Sequence, residues 1–490
     1  MRALRSLAGS VALAALAACT TVGPNYKLPA AAVANAPAAQ GAFLGANNPA
    51  VSQAPVPNDW WRLYDDPVLN HLIETALAAN TDLRVAAANL ARAQAVVTET
   101  RSQGDVQGGV SAAVERTQLS GESYLLPVQP PVSNLGDVGA GISYDLDLFG
   151  RLRRATEAAT ADAEATEAGL DLARVNVAAA VAGAYLDACS ANEELAVAQH
   201  TIALQEKHLA VTQRLVAAGR GAGFDLPRAR AQLAQVRSAA PVHEAHHRAA
   251  LFQLAVLTGK PPADFPKEAA TCAELPRLRQ PIPVGDGGAA LLARRPDVRQ
   301  AERQLASATA RIGVAVSALY PNVSIGLSGG STGLLGDIGG ALTNHWGVGS
   351  LVSWSFPTSG TRARIRAAGA AADGSLAHFD GVVLNALRET ETSLSTYALD
   401  LDRNADLREA RDQALTAQSQ TERLYRAGNR PFLDALDSER TLAQAEAALA
   451  ASNGQLASDQ VKLFLSLGGG WEQAPPPKLV AATDRSPSKR

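Results

Sequence analysis

The sequence predicts a membrane α+β protein made of two tandem halves, each with one pair of strands and one very long helical hairpin. Three observations carry that reading. Past the N-terminal segment no run approaches 18 consecutive apolar residues, so a membrane would have to be crossed by strands. Four stretches alternate apolar with small or polar residues at a period of two, the pattern of strands with one oily and one wet face. Three motifs recur in the same order at a spacing of roughly 210 residues.

The chain opens with a targeting signal. Arg2 and Arg5 form a positive region, and Leu7 to Leu16 an apolar stretch too short to span a bilayer. It ends in Leu16-Ala17-Ala18-Cys19, small residues followed at once by cysteine, which resembles a bacterial lipobox. Residues 1–18 are then a signal peptide and Cys19 the lipidated first residue. Each buried acyl methylene contributes about 0.8 kcal/mol, so several chains on one residue anchor it essentially permanently. Thr20, not an acidic residue, follows the cysteine, which in such lipoproteins points to the outer membrane. Residues 19–58, rich in Ala, Pro, Gly and Asn without periodicity, read as an extended tether.

The net charge of −3 becomes −5 once Arg2 and Arg5 leave with the signal, which gives no basic footprint for nucleic acid. Aromatic residues make up only 4%, so an alanine-rich chain packs through small side chains at close helix spacing. Cys189 lies in a helical pattern and Cys272 in a Pro-flanked loop. A disulfide between them is open, but two unrelated thiols is the preferred reading.

Residues 59–270 form the first repeat, 271–285 a linker, 286–470 the second repeat and 471–490 a tail. "LAANTDLRVAAANLARA" (77–93) matches "LARRPDVRQAERQLASA" (292–308), "SYDLDLFGRLR" (143–153) matches "SWSFPTSGTRA" (353–363), and "RLVAAGRGAGFDLPRARAQLAQ" (214–235) matches "RLYRAGNRPFLDALDSERTLAQ" (423–444). No proline falls between Pro131 and Pro227 or between Pro357 and Pro431, so helices can run over about 151–218 and 362–427 without a breaker. Each would be on the order of 100 Å long and needs partners along its whole length. The hairpins they open run over 151–258 and 362–466. Gly150 and Gly360 are expected to make the turns from strand to helix.

The strands are expected near 106–116 and 136–149 in the first half and near 321–329 and 346–356 in the second. In the second of them Val138, Ala140, Ile142, Tyr144, Leu146 and Leu148 make the apolar side; Ser143, Asp145 and Asp147 lie on the side expected to face water. Tyr144, Trp346 and Trp354 near strand ends match the aromatic girdles of membrane barrels. Four strands cannot close, and open edges in lipid leave backbone groups unpaired, so a barrel must be shared between copies. Two copies give eight strands with a filled interior; three give twelve and leave a lumen.

Taken together, "CTTVGPNYKLP", "DWWRLYDDPVLNHLIETALAANTDLRVA" (59–86), "YDLDLFGRLR" (144–153), "LLARRPDVRQAE" (291–302) and the paired "RLVAAG" and "RLYRAG" resemble the outer-membrane efflux protein family, the TolC-like ducts, in its lipoprotein branch serving resistance-nodulation-division pumps. The resemblance implies a homotrimer with a twelve-stranded barrel in the outer membrane, continuing into a long α-helical periplasmic tunnel. It also implies a periplasmic adaptor protein and an inner-membrane pump as partners, and no cofactor beyond the lipid on Cys19. Both long helices end in Arg-Leu-x-x-x-Gly, so Arg214, Leu215, Gly219 and Arg423, Leu424, Gly428 match the family's adaptor-binding tips. "YRAGNRPFLDALD" (425–437) matches its aperture. Carried over, Tyr425 and Arg430 lock the closed tip against Asp225, and Asp434 with Asp437 form a carboxylate ring. Phe224 departs from the pattern, standing where the family often has a small polar residue. The alternatives are a duct for protein secretion and a lipid-anchored spacer. His243-Glu244-Ala245-His246-His247 also fits the HExxH of zinc peptidases, but Pro241 interrupts the helix beside it and the matching "SNGQL" has nothing similar. No enzyme activity is expected.

Overall fold

The computed structural model describes residues 21–122, 125, 127–278 and 281–470. The signal segment, Cys19 and the tail 471–490 lie outside the described residues. In chain order the main elements are β1 (Val51–Ser52), α1 (Pro67–Ala79), α2 (Thr81–Ser102), β2 (Gln107–Thr117), β3 (Ser133–Asp145), α3 (Arg151–Ala217), α4 (Asp225–Arg237), α5 (Ala240–Leu257), β4 (Ile282–Pro283), α6 (Gly288–Arg294), α7 (Pro296–Ser317), β5 (Asn322–Leu334), β6 (Asn344–Ser353), α8 (Ser359–Arg426) and α9 (Phe432–Ser466). The order helix, strand pair, long helix, turn, helix occurs once before the linker and once after it.

The chain divides into two compact units. The first, Met1–Pro29, Leu90–Thr166 and Ala301–Phe379, holds an antiparallel sheet in the order β2-β3-β5-β6. Register keeps its two faces chemically separate. Val110, Ala140, Gly329 and Trp346 stand opposite one another, and Ile142, Leu327 and Val348 continue the same face. Gly109, Gly141, Ser328 and Gly347 lie on the other face, with Gln107, Ser143, Gly326 and Gly349. The apolar side chains are exposed: Val110 at 83%, Trp346 at 79% and Val348 at 68%, an oily surface that water alone would not tolerate.

β3 begins earlier than expected and ends at Asp145, so Asp147 is not a strand residue. It takes a left-handed φ of 41°, and its carboxylate accepts the N–H groups of Leu152 (2.9 Å) and Arg153 (3.1 Å), capping α3. Asp145 pairs with Arg151 at 3.1 Å. The acids assigned to a wet strand face thus serve the first turn of the helix. Gly150 does make its turn, at φ +76°. Gly360 does not: the Thr358 carbonyl already accepts from the Arg362 N–H (2.9 Å), so α8 begins before Gly360, which takes no left-handed φ.

α3 has 67 residues and α8 has 68, about 100 Å of axis each. Buried Ala158, Ala161, Ala165 and Ala168 followed by Val175, Ala182, Tyr185 and Cys189 trace a stripe of small residues down α3 at helical spacing. One 18-residue window of α3 is apolar enough for a membrane span by composition, but 61% of it is buried, as befits a core helix.

The second unit comprises Ala30–Asn89, Glu167–Gln300 and Asp380–Arg490. Its centre holds Trp60 stacked on Phe464 at 4.6 Å, with Trp61 edge-on to Trp60. Asp66 caps α1 by accepting from Val68 and Leu69 and also receives the Tyr185 hydroxyl (2.8 Å); burial, and then this bond, raise the phenol's pKa. Arg295, buried, donates to Asp297, Glu389 and the Ser466 carbonyl, while Arg294 donates to the Val56 carbonyl. "RRPDVR" is therefore a structural hub. The segment expected to be an extended tether is docked over its described residues: Phe43 and Val51 are buried, the Val33 N–H donates to Asp380, and β1 pairs in parallel with β4 of the linker. Ala- and Gly-rich sequence lies close against small-residue helices, which composition alone reads as looseness.

Cys189 and Cys272 form a disulfide, with Cα atoms 5.2 Å apart, contrary to the reading of two unrelated thiols. The Asn192 side chain donates to the Cys272 carbonyl (2.7 Å), which holds the linker against α3. The sequence separation of 83 residues concealed this proximity.

Candidate functional site: the hairpin tips

The two tips are built from the same backbone chemistry. In the first, Gly219 (φ +69°) follows the end of α3; its N–H donates to the Val216 carbonyl and that of Arg220 to the Leu215 carbonyl. In the second, Gly428 (φ +75°) donates to Tyr425 and Asn429 to Leu424. Both are Schellman closures, with leucine at the position whose carbonyl takes the six-to-one bond and glycine where only a residue without Cβ is unstrained. The recurrent Arg-Leu-x-x-x-Gly is thus first of all a turn.

What the closures leave outside is a mixed surface. Phe224 is 67% exposed, and Leu424 and Leu433 are also exposed. Arg214 and Arg423 fold back on their own helices, donating through Nε to the Ala210 and Ser419 carbonyls.

Among the residues expected at the aperture, Asp434 pairs with Arg430 at 3.2 Å and Asp437 with Arg440 at 2.6 Å. Asp225 accepts the Ala222 N–H at 2.9 Å in the loop before α4. Within one chain Arg430 is therefore joined to Asp434, and Asp225 is engaged with its own loop. Asp434 lies in the first turn of α9, where the helix dipole also favours a carboxylate.

Above the tips, two features were missed by sequence reasoning. His208 of α3 contacts Glu439 of α9, both largely buried, tying the two hairpins together. Asp459 of α9 has a raised pKa, caused by burial and then by a hydrogen bond with Asp400. Neither pair has a motif; only the packing of α3, α8 and α9 brings them together.

The HExxH stretch falls on α5 beyond a break at Ser238–Ala239, where Pro241 lacks the N–H that Arg237 would have bonded. His243 lies 2.8 Å from Glu194, His247 bonds the Ala188 carbonyl (2.9 Å), and Glu244 pairs with Arg248. The two histidines bond α3 while Glu244 sits in an exposed pair on its own helix, and among the described residues no cluster of His, Cys, Asp or Glu that could hold a metal ion occurs.

The comparisons with known proteins agree with this architecture. The solved outer-membrane channel OprN is 34% identical, superposes with a TM-score of 0.83, and matches 92% of this chain and 100% of its own. Nodulation protein T of Rhizobium leguminosarum bv. trifolii is 29% identical over 84% of this chain and 88% of its own length. The pyoverdine export outer membrane protein OpmQ of Pseudomonas putida is 29% identical over 88% and 93%. The profile of the family described as "Outer membrane efflux protein" matches residues 72–260 and, separately, 289–469. With nearly the whole of both halves matched, this chain belongs to the outer membrane efflux protein family.

Proposed function

We propose that the chain works as a homotrimer whose four strands per copy close a twelve-stranded barrel in the outer membrane, with the long hairpins forming a periplasmic tunnel. Function as an outer-membrane efflux channel follows from the family; the assembly is our reading. The observation that carries it is the sheet. It has two edge strands, β2 and β6, running in opposite directions, and one exposed apolar face. Unpaired edges and an oily face are costly in water and forbidden in lipid. Joining β2 of one copy antiparallel to β6 of the next removes both problems, and three copies leave an aqueous lumen on the Gly- and Ser-rich face. The two separate family matches support a duplicated chain, since each half supplies one strand pair and one hairpin.

In this reading Cys19 carries the lipid, the tips meet a periplasmic adaptor, and an inner-membrane resistance-nodulation-division pump supplies small molecules. Arg214, Leu215, Gly219 and Arg423, Leu424, Gly428 form the adaptor surface. Tyr425 and Arg430 close the aperture with Asp225 of a neighbouring hairpin, and Asp434 with Asp437 ring it. Pyoverdine export by the relative OpmQ supports a small-molecule cargo. Native mass spectrometry of detergent-extracted full-length protein is expected to give three copies. A predominant monomer or dimer would overturn the assembly.

A further inference from the structure

We infer that the start of α8 carries a binding site for anionic phospholipid headgroups of the inner leaflet, made by Arg362, Arg364 and Arg366. The inference rests on the barrel reading above. Its basis is an asymmetry between the two strand-to-helix junctions. At the first, each arginine is satisfied within the chain: Arg151 pairs with Asp145 (3.1 Å), Arg153 lies 3.8 Å from Asp147, and Arg154 pairs with Glu157 (2.7 Å) and donates to the Val22 carbonyl. At the second, Ser355 and Pro357 occupy the places of those two aspartates. No acidic residue occurs between Asp337 and Asp373. Arg362, Arg364 and Arg366 are all exposed, and among the described residues they form no hydrogen bond or ion pair through their side chains.

Two further observations put these cations at the level of lipid headgroups. Aromatic pairs mark the helix end of the sheet: Trp354 and Phe356, exposed, with ring centroids 4.5 Å apart, and Phe149 stacked on Tyr320, also at 4.5 Å. Such rings favour the membrane–water boundary. The N-terminal segment is pinned at the same level. The Val22 N–H donates to the Phe149 carbonyl (3.1 Å), and a Cβ on Gly150 would lie 2.9 Å from the Thr21 Cα. Thr21 follows the proposed lipid-bearing Cys19 by two residues, which ties that proposed anchor in sequence to this junction. Arg362 and Arg366 share a helix face one turn apart, able to grip one phosphodiester between two guanidinium forks. Lipid phosphate is the anion continuous with the oily sheet face.

The test uses full-length protein with the three arginines changed together to Gln, the same three changed to Lys, and Arg388→Gln as an exposed control elsewhere on α8. Each is reconstituted into phosphatidylcholine vesicles with and without phosphatidylglycerol. Insertion is scored by flotation, and retained lipid by native mass spectrometry after gentle extraction. Wild type and Arg388→Gln are expected to retain phosphatidylglycerol, the Gln variant about threefold less and the Lys variant an amount between them, since lysine keeps the charge but not the guanidinium fork, the differences vanishing in about 1 M salt. Equal retention by wild type and the Gln variant would overturn the inference while leaving the barrel intact. So would loss of the assembled state by the Gln variant in lipid-free detergent, which assigns the arginines to a neighbouring subunit. Failure of the wild type to insert into either vesicle would overturn the barrel reading, and this inference with it.

Discussion

Arg430, in the turn before α9, pairs with Asp434 of its first turn, and that pairing bears directly on what the proposed closed aperture would cost. A ring of carboxylates from several chains repels itself, by about 4 kcal/mol for two charges 4 Å apart near a protein surface. In the proposed ring of Asp434 and Asp437, the arginines at 430 and 440, which pair with them within one chain, would offset that repulsion. Replacing Tyr425 by Phe together with Arg430 by Ser removes one of those cations and a phenolic hydroxyl. Single-channel conductance in planar bilayers is expected to rise severalfold, with stronger cation preference as Asp434 loses its partner. Unchanged conductance and selectivity would sink the assignment of both residues to the gate. The location of the tips was legible in the sequence because Arg-Leu-x-x-x-Gly is itself the chemistry of helix closure. The pairing of Arg430 with Asp434 inside one chain was not, since the motif assigns Arg430 to Asp225 of the other hairpin and says nothing of the acid four residues on.

At the scale of elements, the long helices were readable from the spacing of prolines, and the strands from their period of two. Boundaries that depend on a side chain bonding its own backbone were not: Asp147 leaves the strand because its carboxylate finds two free N–H groups at the start of α3. The docked N-terminal segment and the Cys189–Cys272 bond were hidden for a different reason, since both join residues remote in sequence. That disulfide fastens the linker after α5 to the middle of α3. Changing both cysteines to Ala is expected to lower stability by about 2–5 kcal/mol, as removal of a cross-link closing a long loop does. Thermal melting of the full-length variant by circular dichroism should show a lower midpoint with unchanged helix content before the transition. An unaltered midpoint would mean that the Asn192 contact and the burial around Cys189 hold the linker unaided.

For the whole molecule, the question is which part secures it in the membrane, since the sequence supplies two anchors. The sheet presents an exposed oily face and two edges that several copies can join, while the second anchor, the lipid proposed on Cys19, would be borne two residues before Thr21, which with Val22 lies against Phe149 and Gly150. If the barrel inserts on its own apolar face, the lipid is an additional tie and not a requirement. A Cys19→Ser chain behind an ordinary cleavable signal peptide should therefore lose incorporation of radiolabelled palmitate entirely. It should still give the assembled species in the outer-membrane fraction, at no less than about half the wild-type amount, because β-barrel insertion buries far more apolar surface than one lipidated residue does. Continued palmitate labelling would remove Cys19 as the acylated residue. Retention of the label-free chain as a soluble periplasmic monomer would show instead that the acyl chains bring the copies together before their strands pair, and that the sheet edges find each other only on the membrane.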